Sequence, residues 1–145
     1  MVRKFERSDS ASVHEIEKLC FTDPWSEESA AAEADNALGT ALVYDDGGVC
    51  GYVFGDFDGE DAYISRIAVR PDRRRQGIAR ILLTEFKERT AGESGQISLE
   101  VRAGNETAAA FYRSMGFEAA AVRRRFYTSP SEDAVVMIRR GKICQ

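Results

Sequence analysis

The sequence predicts an α/β (α+β) domain: a mixed, mostly antiparallel central sheet of about seven strands flanked by four helices. Three observations carry that prediction. Residues 63–86 pass from a buried strand through a basic turn into an amphipathic helix. Asp45-Asp46-Gly47-Gly48 stands between two β-rich runs as a hairpin turn. Residues 96–117 change from two-residue alternation to helical spacing. With 145 residues, 43% of them hydrophobic and 30% charged, the chain reads as one globular domain over 1–145 with enough apolar material for a core.

Each element follows from local signals. Residues 2–6 form a short strand. Ser8, Asp9 and Ser10 offer N-caps for a helix carrying Val13, Ile16, Leu19 and Cys20 on one face, and Asp23-Pro24 breaks it. Ser26 caps a second, alanine-rich helix running to about residue 38, with Gly39 at its end. Strands at 40–44 and 49–57 flank the hairpin turn. A second turn, Asp58-Gly59-Glu60-Asp61, leads into a strand carrying Tyr63, Ile64, Ile67, Ala68 and Val69, which Pro71 ends. Ile78, Ile81, Leu82 and Phe86 mark a helix over 77–90 that stops near Gly92. Ile97, Leu99 and Val101 alternate along a strand at 96–102. Asn105 caps a helix with Ala108, Phe111, Tyr112 and Met115 on one side, closed by Gly116 with Phe117 packing back. Strands at 117–127 and 134–139 close the chain around Thr128-Ser129-Pro130-Ser131.

Composition narrows the function. The net charge of −4 argues against nucleic acid as the main ligand and suits a cationic amine or a basic peptide. The arginine clusters at 73–75 and 123–125 read by default as solvated turn or strand faces. Cys20, Cys50 and Cys144 show no paired or metal-binding spacing, and their odd number fits a reducing compartment. The one histidine, His14, is expected at the surface, and no metal is expected. No cleavable signal and no long apolar run is visible, so the expected location is the cytoplasm, with no membrane partner.

The stretch Arg75-Gln76-Gly77-Ile78-Ala79 carries the first chemical signal. Small residues at 77 and 79 let a ligand approach the backbone. The first turn of a helix has unpaired N–H groups and a partial positive charge, which suit a phosphate or pyrophosphate. The segment lacks the Gly-Lys-Ser/Thr end of a P-loop and the three-glycine spacing of a dinucleotide fold.

Arg74-Arg75-Gln76-Gly77-Ile78-Ala79 resembles the acetyl-CoA pyrophosphate loop of the GNAT N-acetyltransferase superfamily, and the element order is similar to that superfamily's from end to end. Cys20-Phe21-Thr22-Asp23-Pro24-Trp25-Ser26, Leu99-Glu100-Val101-Arg102 and Asn105 through Gly116-Phe117 sharpen the resemblance. So do Arg123-Arg124-Arg125-Phe126-Tyr127 and Glu132-Asp133-Ala134. Together they look like the bacterial RimI family, which acetylates the N-terminal alanine of a small-subunit ribosomal protein. The chain departs from that pattern in three places. Ala79 replaces a second glycine, Gly104 stands where serine is common, and the helix after Trp25 lacks a large apolar residue.

The resemblance implies acetyl-CoA as cosubstrate, Glu100 as general base and Tyr112 as general acid. It places Ile67, Ala68, Val69, Arg75, Gln76, Gly77, Ile78, Ala79, Arg80 and Asn105 on the cofactor. It implies a basic protein N-terminus, that of a ribosomal protein, as acceptor. Read alone, Glu100 is a solvated strand carboxylate, Tyr112 a core residue, Asn105 an N-cap and Trp25 a core plug. The chemistry agrees with the implied roles. An α-amine has a reference pKa near 7.8 against about 10.4 for lysine, which is roughly 3.5 kcal/mol less deprotonation work. A single carboxylate suits that easier task, and a phenol can protonate the CoA thiolate. The alternatives are transfer to a lysine or small-molecule amine, or a non-catalytic acetyl-CoA-binding domain.

Overall fold

The computed structural model describes residues 1–128 and 130–141, so Ser129 of the closing turn and Cys144 lie outside the described residues. The chain opens with β1 (Val2–Lys4), a 3₁₀ turn at Arg7–Asp9, α1 (Ser10–Cys20) and α2 (Glu27–Ala32). It continues through β2 (Gly39–Asp45), β3 (Val49–Phe57), β4 (Ala62–Val69) and α3 (Ile78–Arg89). β5 (Ile97–Arg102), α4 (Glu106–Ser114), β6 (Glu118–Thr128) and β7 (Ser131–Arg139) follow. The seven strands form one sheet in the order β1-β2-β3-β4-β5-β7-β6. Every neighbouring pair is antiparallel except β4 and β5.

Both faces of the sheet are covered, and side-chain alternation sorts the strand residues between them. Val53, Leu42 and Ile64 pack with Ile78, Leu82, Phe86, Tyr112 and Phe117 of the α3–α4 side. Phe5, Val43, Tyr52 and Phe54 pack with Val13, Ile16 and Ala30 of the α1–α2 side. Burying a large apolar side chain such as Phe86 contributes about 2–3 kcal/mol.

Two features of the sheet prepare a site. β4 and β5 pair only at Ala62↔Ile97 and Tyr63↔Ser98, and beyond that point no pairing joins them. β5 stays paired to β7 through Arg102, so the two halves of the sheet diverge. Opposite the divergence, the register between β3 and β4 jumps from Phe54↔Arg66 to Gly55↔Ile64, which leaves Ser65 as an extra residue. Gly55 is required there: a Cβ would stand 2.4 Å from the Tyr63 carbonyl and 2.6 Å from the Phe86 ring.

The structure corrects several local expectations. α1 turns Val13, Ile16 and Glu17 inward and leaves Leu19 63% exposed. α3 likewise buries Leu83 and leaves Ile81 exposed. α2 is shorter than its alanine run suggests. It passes at Ala32 into a 3₁₀ turn, Glu33–Asp35, and Asn36 ends that turn, its side chain accepting from the Leu38 N–H at 3.1 Å and donating to Asp56 at 2.8 Å. Gly39 therefore opens β2 instead of closing a helix. β1 ends at Lys4 rather than residue 6, and β7 starts at Ser131 rather than residue 134. His14 is half-buried, with Nδ1 donating to the Trp25 carbonyl at 2.8 Å, not a free surface residue. No helix among the described residues is long and apolar enough to cross a membrane.

Candidate active site

A cavity of about 600 Å³ opens where β4 and β5 part. Its walls are the loop 20–25, the β4 segment 63–67, the β5 segment 99–102, the start of α4 and the end of β6. Ile67, Glu100, Asn105 and Tyr112 of the expected site line it. Ala68, Val69, Arg75, Gln76, Gly77, Ile78, Ala79 and Arg80 are not part of its wall; they continue along β4 and the turn into α3.

Glu100 alternates outward from the apolar residues Leu99 and Val101, which commits its side chain to the cleft. Its carboxylate is only 8% exposed. Tyr63 donates its hydroxyl to one oxygen at 2.5 Å, and Arg123 Nη1 donates to the other at 3.0 Å. Burial, reinforced by the Glu100 carboxylate, pushes the Tyr63 phenol well above its ordinary value. Tyr127 is pushed up for the same two reasons.

Tyr112 is held by α4. Asn105 accepts from the Ala108 N–H at 3.1 Å and so starts the helix. The Met115 and Phe117 amides both close on the Tyr112 carbonyl at 3.0 Å. The ring packs edge-on against Phe111 and Phe117 and is 7% exposed. Burial raises its phenol, so the hydroxyl stays protonated and is available as a donor. That refines the simple reference-value argument: full proton release is harder than for a free phenol, while hydrogen-bond donation is retained.

The remaining walls include Trp25, expected as a core plug or a wall of the acceptor groove, and Arg102, to which the sequence assigned no role. Arg102 ties two loops to β5, reaching the Thr22 hydroxyl at 3.4 Å, the Pro130 carbonyl at 3.0 Å and Glu132 at 3.3 Å. Its guanidinium lies 4.3 Å over the Tyr127 ring. Trp25 lines the cavity and also stacks on Phe54 at 5.8 Å, so it is both wall and plug. Tyr63, Arg66 and Arg123 could be found only by knowing that β4, β5 and β6 converge here. Their spacing along the chain carries no such signal.

The turn before α3 has an exposed, unusual backbone. Arg75 and Gly77 take positive φ, 65° and 79°. A Cβ on Gly77 would meet nothing within 4 Å, so the main chain there is open. The first amides of α3 follow directly and have no intrahelical acceptors. Ile78 sends its side chain into the core, so it offers only its amide to a ligand. This geometry fits an anionic diphosphate approached from outside.

A model of the Acetyltransferase (GNAT) family matches residues 10–117. The ribosomal protein bS18-alanine N-acetyltransferase of Escherichia coli (strain K12) is 31% identical over 139 residues, 94% of each chain. The crystal structure of the ribosomal-protein-S18-alanine N-acetyltransferase from Escherichia coli matches with a TM-score of 0.88 and 29% identity. The match covers 100% of this chain and 96% of that one. Ard1 from Thermoplasma volcanium matches with a TM-score of 0.89 and 26% identity, over 99% and 98% of the two chains.

Proposed function

The chain belongs to the GNAT acetyltransferase family, and from that premise we propose that it moves the acetyl group of acetyl-CoA onto the N-terminal α-amine of a protein, of the ribosomal-protein alanine type. One observation supports this most: a nearly buried carboxylate, Glu100, shares a cavity with the Tyr112 phenol where β4 and β5 separate. The E. coli relative named for bS18 alanine points to the same acceptor class. A ribosomal acceptor goes with action in the cytoplasm.

The amides at the start of α3 and the backbone of Arg75, Gln76 and Gly77 would hold the diphosphate of acetyl-CoA, and Arg80 adds positive potential. Ile67, Ala68 and Val69 offer a strand edge free of β5 for the rest of the carrier. Bound acetyl-CoA supplies an activated thioester carbonyl. Glu100 takes the proton that the acceptor ammonium must lose before it can attack. Tyr63 fixes one oxygen of that carboxylate. The other faces Arg123, whose side chain is 57% exposed, so an incoming ammonium exchanges for a solvated guanidinium. Tyr112 donates its hydroxyl proton toward the departing sulfur. The nitrogen bonds to the thioester carbon and the C–S bond breaks; the first amine proton passes through Glu100 to water, and the second replaces the proton that Tyr112 gives to sulfur.

Mass spectrometry of a peptide panel tests the reaction. Peptides with a free N-terminal alanine gain one acetyl group, and N-terminally blocked peptides with lysines do not. Labelling confined to lysines or small amines would overturn the acceptor assignment. Glu100→Gln and Tyr112→Phe each lower kcat by about 10²-fold or more, with CoA affinity retained by calorimetry. Full turnover in both variants would remove the pair from the mechanism.

A further inference from the structure

Glu17 is the one buried acid on α1, and its carboxylate is fully enclosed. Its neighbours Val13 and Ile16 are apolar core. Arg66 Nη2 donates to it at 2.8 Å, and Arg66 Nε reaches both oxygens at 3.1 Å. The Trp25 amide donates at 2.8 Å, and the Tyr52 hydroxyl donates as well. Burial and the adjacent carboxylate keep the Tyr52 phenol protonated.

The arginine of this pair reaches the cavity. Arg66 Nη2 also donates to the Asp23 carbonyl at 3.1 Å. Its guanidinium lies 3.8 Å over the Phe21 ring and 5.4 Å from the Trp25 ring centre. His14 holds the Trp25 carbonyl. Arg102 at Thr22 and Phe54 against Trp25 also hold the loop 21–25. Two of its rings, one carbonyl and one amide meet the Glu17–Arg66 pair. That loop and Glu100 both line the cavity.

A buried ion pair is a weak source of net stability, because desolvation offsets its attraction. What it supplies here is geometry: the planar fork of an arginine fixes direction as a lysine cannot. We propose that Glu17 and Arg66 are positioning residues for the acceptor. They hold the loop 21–25 as a preformed wall and so set affinity for the incoming peptide, independently of the acetyl donor. This rests on reading the cavity as the acceptor site of an N-terminal acetyltransferase.

Steady-state kinetics of the full chain with an N-terminal-alanine peptide test it. In Arg66→Met the KM for peptide rises tenfold or more, while the KM for acetyl-CoA moves less than twofold. Arg66→Lys keeps the charge but not the fork and falls between Met and wild type. Glu17→Gln raises the peptide KM in the same direction. The double variant Glu17→Gln/Arg66→Met is no worse than the worse single, because both act through one clamp. Trp25 is the only tryptophan of the chain, so its emission reports the wall directly. Emission shifts to the red, and acrylamide quenching increases, in Arg66→Met. If Glu17→Gln does not fold, Arg66→Met decides the matter alone. Equal rises in both KM values, or unchanged Trp25 emission, overturn the proposal. If wild type acetylates no peptide α-amine, the proposed reaction falls, and the Trp25 signal still decides the clamp.

Discussion

Asp9 shows how much one paired side chain does in this fold. It takes Arg3 Nη1 at 2.8 Å and Nη2 at 2.9 Å, and it closes on the Glu6 amide at 2.9 Å. Arg3 also reaches Asp45 at 3.0 Å, so one guanidinium joins β1, the entry to α1 and the β2–β3 turn. The Arg3 pairing outweighs desolvation and holds the Asp9 carboxyl below its usual range. The folded value lies below the unfolded one. The stabilisation is therefore present above about pH 4, the unfolded value, and disappears as pH falls through the lower folded value. Asp9→Asn should cost about 2 kcal/mol at pH 7, with the difference from wild type closing below about pH 4 in urea titrations. Nothing in the sequence marks Asp9 beyond its capping potential. The same holds for Glu17. By spacing, Leu19 belongs to the buried face of α1 and Glu17 to the water. Arg66 and Tyr52, 49 and 35 residues away, reverse that order: with the Trp25 amide they give the carboxylate three partners.

At the scale of elements, the turn into α3 was readily legible. Its arginines, its glycine and the helical repeat behind it are contiguous, so local physics defines it. Gly77 lies at φ 79° with open space over its Cα. Gly77→Ala should lower stability by about 1 kcal/mol, because alanine tolerates a left-handed φ poorly. On the proposed reading of this turn it should also weaken acetyl-CoA binding about tenfold, since a methyl group and a shifted turn would disturb the amides proposed to hold the diphosphate. Calorimetry and a thermal melt measure the two effects separately; unchanged affinity would place the diphosphate elsewhere. α4 was equally legible, through Asn105 at one end and Gly116, at φ 93°, at the other. α2 was not. Its alanines favour a longer helix, but it tightens to a 3₁₀ turn after Ala32, which Asn36, bonded to the Leu38 amide and to Asp56 across on β3, brings to an end.

Across the whole molecule, the decisive event is the parting of β4 and β5 after two paired positions. It leaves the β4 segment 64–69 bonded to β3 on one edge only. Hydrogen exchange should therefore be faster at 64–69 than at 51–54 in β3, which has partners on both edges, and should slow when acetyl-CoA is added. An unchanged rate with ligand would separate this edge from the cofactor. The same divergence lets Tyr63, Arg123 and Glu100, drawn from three strands, meet at one carboxylate. The sequence by itself determined the order and type of the elements, the hairpin turn, the glycine turn before α3 and the residue types that meet in the cavity. Hydrophobic period, glycine and capping chemistry act within a few residues, so one chain read in order contains them. Only the tertiary structure decided which polar side chains are buried, where the sheet opens and which residues wall the cavity. Those outcomes depend on partners tens of residues apart, and burial of a charge is permitted only where such partners arrive together.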